Sequence, residues 1–114
     1  MAFATWVKNL PGQTALVGWP LRQTAIWLDY YLRRFTPHGV YRGPYVIDPI
    51  FFGPGIDLPT LIMGMTGRHY RETPEQLLPQ EWFGGLTETH KAREDAFRHA
   101  ELLCSLIKLR SDQR

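Results

Sequence analysis

The sequence has one cysteine, Cys104, among 114 residues. A single thiol excludes an intrachain disulfide and any metal centre built from several cysteines. Long apolar runs are missing too. The longest stretch without a charge is Asn9–Leu21, 13 residues broken by Pro11, Gly12 and Gly18. A spanning helix needs about 20 apolar residues, so no transmembrane span is expected. Met1–Trp19 lacks the charged start and unbroken apolar core of a secretory signal. Acids are scarce in the first half, where Asp29 stands alone against Lys8, Arg22, Arg33, Arg34 and Arg42 between Met1 and Ile47. Five cations over that length make a thin electrostatic footprint, which argues against nucleic acid as the partner.

Chemistry-bearing motifs are equally sparse. His38, His69, His90 and His99 show no i, i+4 pair of the kind metal-binding helices use, so no metal and no cofactor is expected. Gly53-Pro54-Gly55 and Gly64–Arg68 lack the third glycine or the Lys-Ser/Thr that phosphate loops require, and read as turns. Asp48 and Asp57 lie next to or near prolines and read as turn organisers rather than as an acid/base pair. Cys104 falls on an apolar helical stripe and reads as a buried, inert thiol. No catalytic residue is assigned, and the chain is expected not to be an enzyme.

What is abundant is apolar and aromatic surface: 44% of residues are hydrophobic and 13% aromatic, well above what a disordered segment carries. After an N-terminal segment, residues 1–19, an amphipathic helix is expected over residues 20–35. Pro20 suits its first turn, and Leu21, Ala25, Leu28, Leu32 and Phe35 recur at helical spacing. Trp27, Tyr30 and Tyr31 add rings to its other faces. Over residues 73–83 a short helix is expected, with Thr73 as cap, Pro74 in the first turn and Gln76 completing a capping box. A long helix is expected over residues 87–110, starting at Thr87 or Thr89, along Ala92, Ala96, Ala100, Leu103 and Ile107.

Residues 36–72 hold five prolines and six glycines and sustain no period of 2 or 3.6. Tyr45–Ile47 and Leu61–Met65 are candidates for short strands. The same stretch carries Ile50, Phe51, Phe52, Ile56, Leu58 and Ile62, which water disfavours. Loops longer than about 15 residues are uncommon inside a domain. The expectation is therefore a mainly α chain in which two longer helices and one short helix are joined by an extended arm, one unit that is not compact by itself.

Function is then expected to be binding. Trp27, Leu28, Tyr31 and Phe35 would anchor the first helix. Tyr45, Phe51, Phe52 and Ile62 would thread a groove of the partner, and Trp82, Phe97, Leu103 and Ile107 would dock the C-terminal half. Arg22, Arg33, Arg34 and Arg42 would meet headgroups or other anions. This layout is similar in style to accessory subunits that clamp membrane-bound energy-transducing complexes of mitochondria, a respiratory complex or ATP synthase. That likeness implies a peripheral place on the inner membrane among other protein subunits. A small domain binding a hydrophobic ligand and a virion component are the alternatives.

Overall fold

The computed structural model describes residues 2–41 and 48–112. They fall into two units, Met1–Asp57 and Leu58–Arg114. Taken together the described residues are mainly helical, and the sheet content among them is one two-residue parallel pair.

The first unit begins with a helix the sequence did not announce, α1 (Ala2–Lys8). Seven residues are too few to hold a helix in water by themselves. Its stability comes from Ala4 and Val7, which enter a core with Ala25, Leu32, Val40, Ile50 and Phe51. The next helix, α2 (Leu21–Phe35), matches the expected span. Its N-terminus has no local cap, since Pro20 offers no side-chain oxygen. Asp57 supplies one from 36 residues away, its Oδ1 accepting the Leu21 N–H at 2.9 Å. A carboxylate there also opposes the positive end of the helix dipole.

At the other end Thr36 closes α2. Its backbone N–H and its hydroxyl both donate to the Leu32 carbonyl, at 2.8 and 2.6 Å. Asp29, midway along the helix, then accepts the Val40 N–H at 2.9 Å and draws the departing chain back along α2, which buries Val40 completely.

The expected arm is where the structure departs most from the sequence reading. Residues 50–57 lie against the chain's own segment 14–18. The Phe52 N–H donates to the Thr14 carbonyl and the Ile56 N–H to Leu16, both at 2.8 Å. Strand β1 (Val17–Gly18) pairs with β2 (Ile56–Asp57) in parallel. Ile50 and Phe51 are core residues. Gly55, at φ 90°, admits no side chain, because a Cβ would meet Leu21 and the Leu16 carbonyl within about 3 Å. The apolar residues 50–51 therefore find cover inside their own unit, and the non-compact arm is corrected to a folded-back segment. Tyr45–Ile47 lies outside the described residues.

The second unit opens with α3 (Leu58–Thr66), so Leu61–Met65 is helical rather than a strand. Leu58 and Ile62, four residues apart, are fully buried on one face, and Gly67 ends the helix at φ 72°. The expected helix over 73–83 is instead two separate 3-10 turns, Glu75–Leu77 and Gln80–Phe83. Pro79 removes an N–H at the junction and separates them. The capping box does not form. The Thr73 hydroxyl turns back to the Tyr70 carbonyl at 2.8 Å and closes the preceding turn, Tyr70–Glu72.

The last helix, α4, runs Ala92–Asp112 and begins later than expected. His90 takes a left-handed φ of 59°, which breaks the helical path, and the Thr89 hydroxyl accepts the Lys91 N–H at 3.4 Å. Leu102 and Leu106 are fully buried, as is Phe83 from the second turn.

Candidate functional site

Helix α2 carries more exposed aromatic surface than any other described element. Ala25 and Leu32 point into the core with Leu28 packed beside them, which uses one side of the helix. The opposite side displays Ile26, Trp27, Tyr30 and Tyr31, with Phe35 at the end; Trp27 is 61% exposed, Tyr30 51% and Phe35 63%. The rings are ordered against one another. Tyr30 and Tyr31 meet edge to face with centroids 5.3 Å apart, and Tyr31 stacks on Phe35 at 6.4 Å. The Arg34 guanidinium lies 5.5 Å from the Phe35 centroid. Such mutual support reduces the rotamer freedom that binding would otherwise remove.

The charge on this face is positive. Asp29 is the acid of α2, and both its oxygens are engaged, Oδ1 by the Val40 N–H and Oδ2 by Arg33 Nε at 2.7 Å. Arg22 and Arg34 are exposed, and the Arg34 guanidinium has the Phe35 ring as its neighbour. Arg42 lies outside the described residues.

Of the residues expected to anchor a partner, Trp27, Tyr31, Phe35, Phe52, Phe97 and Ile107 are exposed. Leu28, Trp82 and Leu103 are half-buried. Phe51 and Ile62 are core residues and leave the surface. Tyr45 lies outside the described residues. Sequence reasoning passed over Ile26 and Trp6, exposed at 66% and 59%. A helical wheel drawn around the buried Ala25 and Leu32 would have put Ile26 outward.

Each unit also holds a polar cluster of its own. In the first unit Lys8 Nζ donates to Asp48 Oδ2 at 2.5 Å, and His38 Nδ1 lies 3.4 Å from the same oxygen. The hydrogen bond from Lys8, with the charges of Lys8 and His38 and against desolvation, holds the Asp48 carboxyl below its ordinary value. The pair stands beside an open cleft of about 370 Å³ lined by Val7, Leu10, Ile50, Phe51 and Phe52.

In the second unit Glu75 is clasped from α4. Arg98 Nη1 donates to its Oε2 at 2.7 Å, and His99 Nε2 lies 2.9 Å from its Oε1. Arg98 is buried, its Nε donates to the Leu86 carbonyl at 3.3 Å, and its guanidinium covers the Phe83 ring at 4.2 Å. Burial pushes the Glu75 carboxyl up, but the hydrogen bonds and charges of Arg98 and His99 outweigh it and hold the group below its ordinary 4.5. This cluster closes the unit. No local sequence signal links Glu75 to residues 23 and 24 positions later.

Cys104 is exposed, not buried, because the stripe it lies on faces away from the unit's core. Among the described residues no three His, Cys, Asp or Glu side chains gather as metal ligands would, and no helix is long and apolar enough to cross a membrane. Set against protein families, curated proteins and solved structures, the chain matches none of them.

Proposed function

We propose that this chain is a non-catalytic accessory subunit that docks on a partner protein through the outward face of α2. The observation that supports this is the joint display of Trp27, Tyr30, Tyr31 and Arg34 on one helix whose other side is already used by the core. Trp, Tyr and Arg are the residues that dominate measured interface energies, because they combine large apolar area with a polar tip. The positive balance of α2 calls for a partner surface rimmed by acids.

Phe51 is part of the core, so Phe51→Asp would disrupt the unit itself and tests nothing about docking. Phe52 is exposed, and Phe52→Asp is the clean variant there.

The narrower setting, a mitochondrial inner-membrane complex with the chain held peripherally, belongs to this proposal. The test is co-migration in native gels. Wild type is expected in a large assembly, and the pair Trp27→Ala and Tyr30→Ala is expected to release it while retaining the folded state by circular dichroism. Unchanged co-migration removes α2 as the anchor. Migration with a soluble assembly removes the membrane setting.

A second reading, a small domain binding an apolar ligand, rests on the cleft beside Lys8. Its volume falls within the range of small-molecule sites, about 300–1,000 Å³, and its lining is mixed, with Leu10, Ile50 and Phe52 beside Lys8, Thr14 and Asp48. A fatty acid would place its chain along Leu10 and Phe52 and its carboxylate at Lys8. Saturable displacement of a fluorescent fatty acid, abolished by Leu10→Asp, is the result that reading expects.

A further inference from the structure

Helix α4 has two apolar stripes, and the core uses one. Arg98, Leu102 and Leu106 are buried against the unit. Phe97, Ala100, Cys104 and Ile107 are exposed on the opposite side, Phe97 and Ile107 at 56% and 55%. Their spacings of three, four and three are those of a coiled-coil seam, which recurs every 3.5 residues on average. With 21 residues the helix is about 30 Å long, enough for the whole seam and a turn on each side.

The charges along the seam say which helix fits it. Arg93 and Glu94 stand at its N-terminal end, and Lys108 and Asp112 at its C-terminal end. Laid antiparallel against itself about a two-fold axis between Ala100 and Cys104, the helix brings Glu94 beside Lys108 of the second copy, and Arg93 beside Asp112. Each pair occurs twice by symmetry. Phe97 then faces Ile107 of the second copy, and the small residues Ala100 and Cys104 face each other where the backbones approach most closely. Helix dipoles also oppose favourably in this arrangement. A parallel pair would instead set Arg93 beside Arg93 on the seam. Glu101 is the like-charged residue nearest the axis, and its carboxylate folds over Gly84 in its own unit.

We infer that the outer stripe of α4 is a self-association surface, on which a second copy of this chain packs its own α4 antiparallel. The inference is independent of docking through α2. It describes a dissociable dimer, because a single helical seam sits at the small end of protein interfaces.

Sedimentation velocity on the full chain over a concentration series tests it. The expected result is a reversible monomer–dimer equilibrium that either Phe97→Glu or Ile107→Lys weakens by at least about tenfold. The double variant is expected to regain dimerisation, since the two altered positions face each other across the axis. Both side chains are exposed, so each variant is expected to keep the helicity and melting temperature of the wild type. Oxidation reads the orientation: Ala100→Cys beside the native Cys104 is expected to give intermolecular disulfide dimers faster than the wild type does. A monomer at every concentration overturns the inference, as does a dimer indifferent to Phe97 and Ile107. Rapid wild-type disulfide formation through Cys104 alone overturns the antiparallel arrangement. Release from the native-gel assembly by the Trp27 and Tyr30 variants leaves all of these outcomes unchanged, so the two readings fail separately.

Discussion

The two units solve one problem, fastening irregular chain to a helix, with different chemistry. In Met1–Asp57 the fasteners are aspartates that accept backbone N–H groups: Asp57 at the start of α2, and Asp29 holding Val40. In Leu58–Arg114 the fastener is a cluster of side chains, Glu75 with Arg98 and His99, over a buried ring. A carboxylate on a backbone amide satisfies a donor that would otherwise lack a partner. A buried ion pair adds little net stability but makes the loss of either member severe, because the remaining charge stays desolvated. The first unit should therefore yield gradually to single changes, and the second abruptly.

The largest expected effect follows from that contrast. Arg98→Ala leaves Glu75 without its strongest donor and uncovers Phe83, and is expected to remove about 3 kcal/mol or more from the second unit. Hydrogen exchange read by mass spectrometry resolves the units, and protection should fall in α4 while α2 keeps its own. Equal losses in both would break the comparison.

Next in size is the effect on the docking proposed for α2. Trp27→Ala is expected to weaken partner association by about 2 kcal/mol while shifting stability by less than about 0.5 kcal/mol. Titration calorimetry with the purified partner and thermal unfolding measure the two numbers.

Asp57→Ala is expected to cost the first unit about 1 kcal/mol, the usual size of a lost cap, seen as faster exchange at the start of α2. Asp57→Asn, which keeps an acceptor, should restore most of it.

The smallest effect is one of pH. The Glu75 carboxyl is held below its ordinary 4.5 in the folded unit, so the unfolded state binds a proton more readily. The stability it contributes is complete above 4.5 and declines as pH falls through the lower folded value. In acid titrations followed by Trp82 fluorescence, Glu75→Gln should flatten this part of the curve. A curve of unaltered steepness would assign the acid sensitivity elsewhere.

Legibility in the sequence followed the range of the interactions. Helix α2 was readable because Leu21, Ala25, Leu28 and Leu32 repeat at the period of the helix they form. Helix α4 was readable for the same reason, but its start was not: the left-handed turn at His90 reflects the path of the preceding chain rather than a local preference. Thr73 shows the opposite error. A capping box was written in the local sequence, yet the Thr73 hydroxyl donates to the carbonyl of the turn before it instead of accepting an N–H of the turn after it. Cys104 was placed on an apolar stripe correctly and on the wrong side of the helix, since α4 has two such stripes and periodicity does not say which one faces inward. Of the expected docking residues, the aromatic ones on α2 stayed at the surface because Ala25 and Leu32 already filled its inner face.

From the sequence alone came the helices with a sustained 3.6-residue period, the lack of a cysteine framework, and the acid-poor, ring-rich character of the first half. Those are properties of neighbours along the chain, and composition and spacing carry them in full. Tertiary structure alone decided that the proline-broken middle folds back on residues 14–18, that Asp57 caps a helix begun 36 residues earlier, and that Glu75 closes on Arg98 and His99. Each of these joins groups far apart in sequence, where the amide or charge needing a partner is visible but the chain that will bring one near is not.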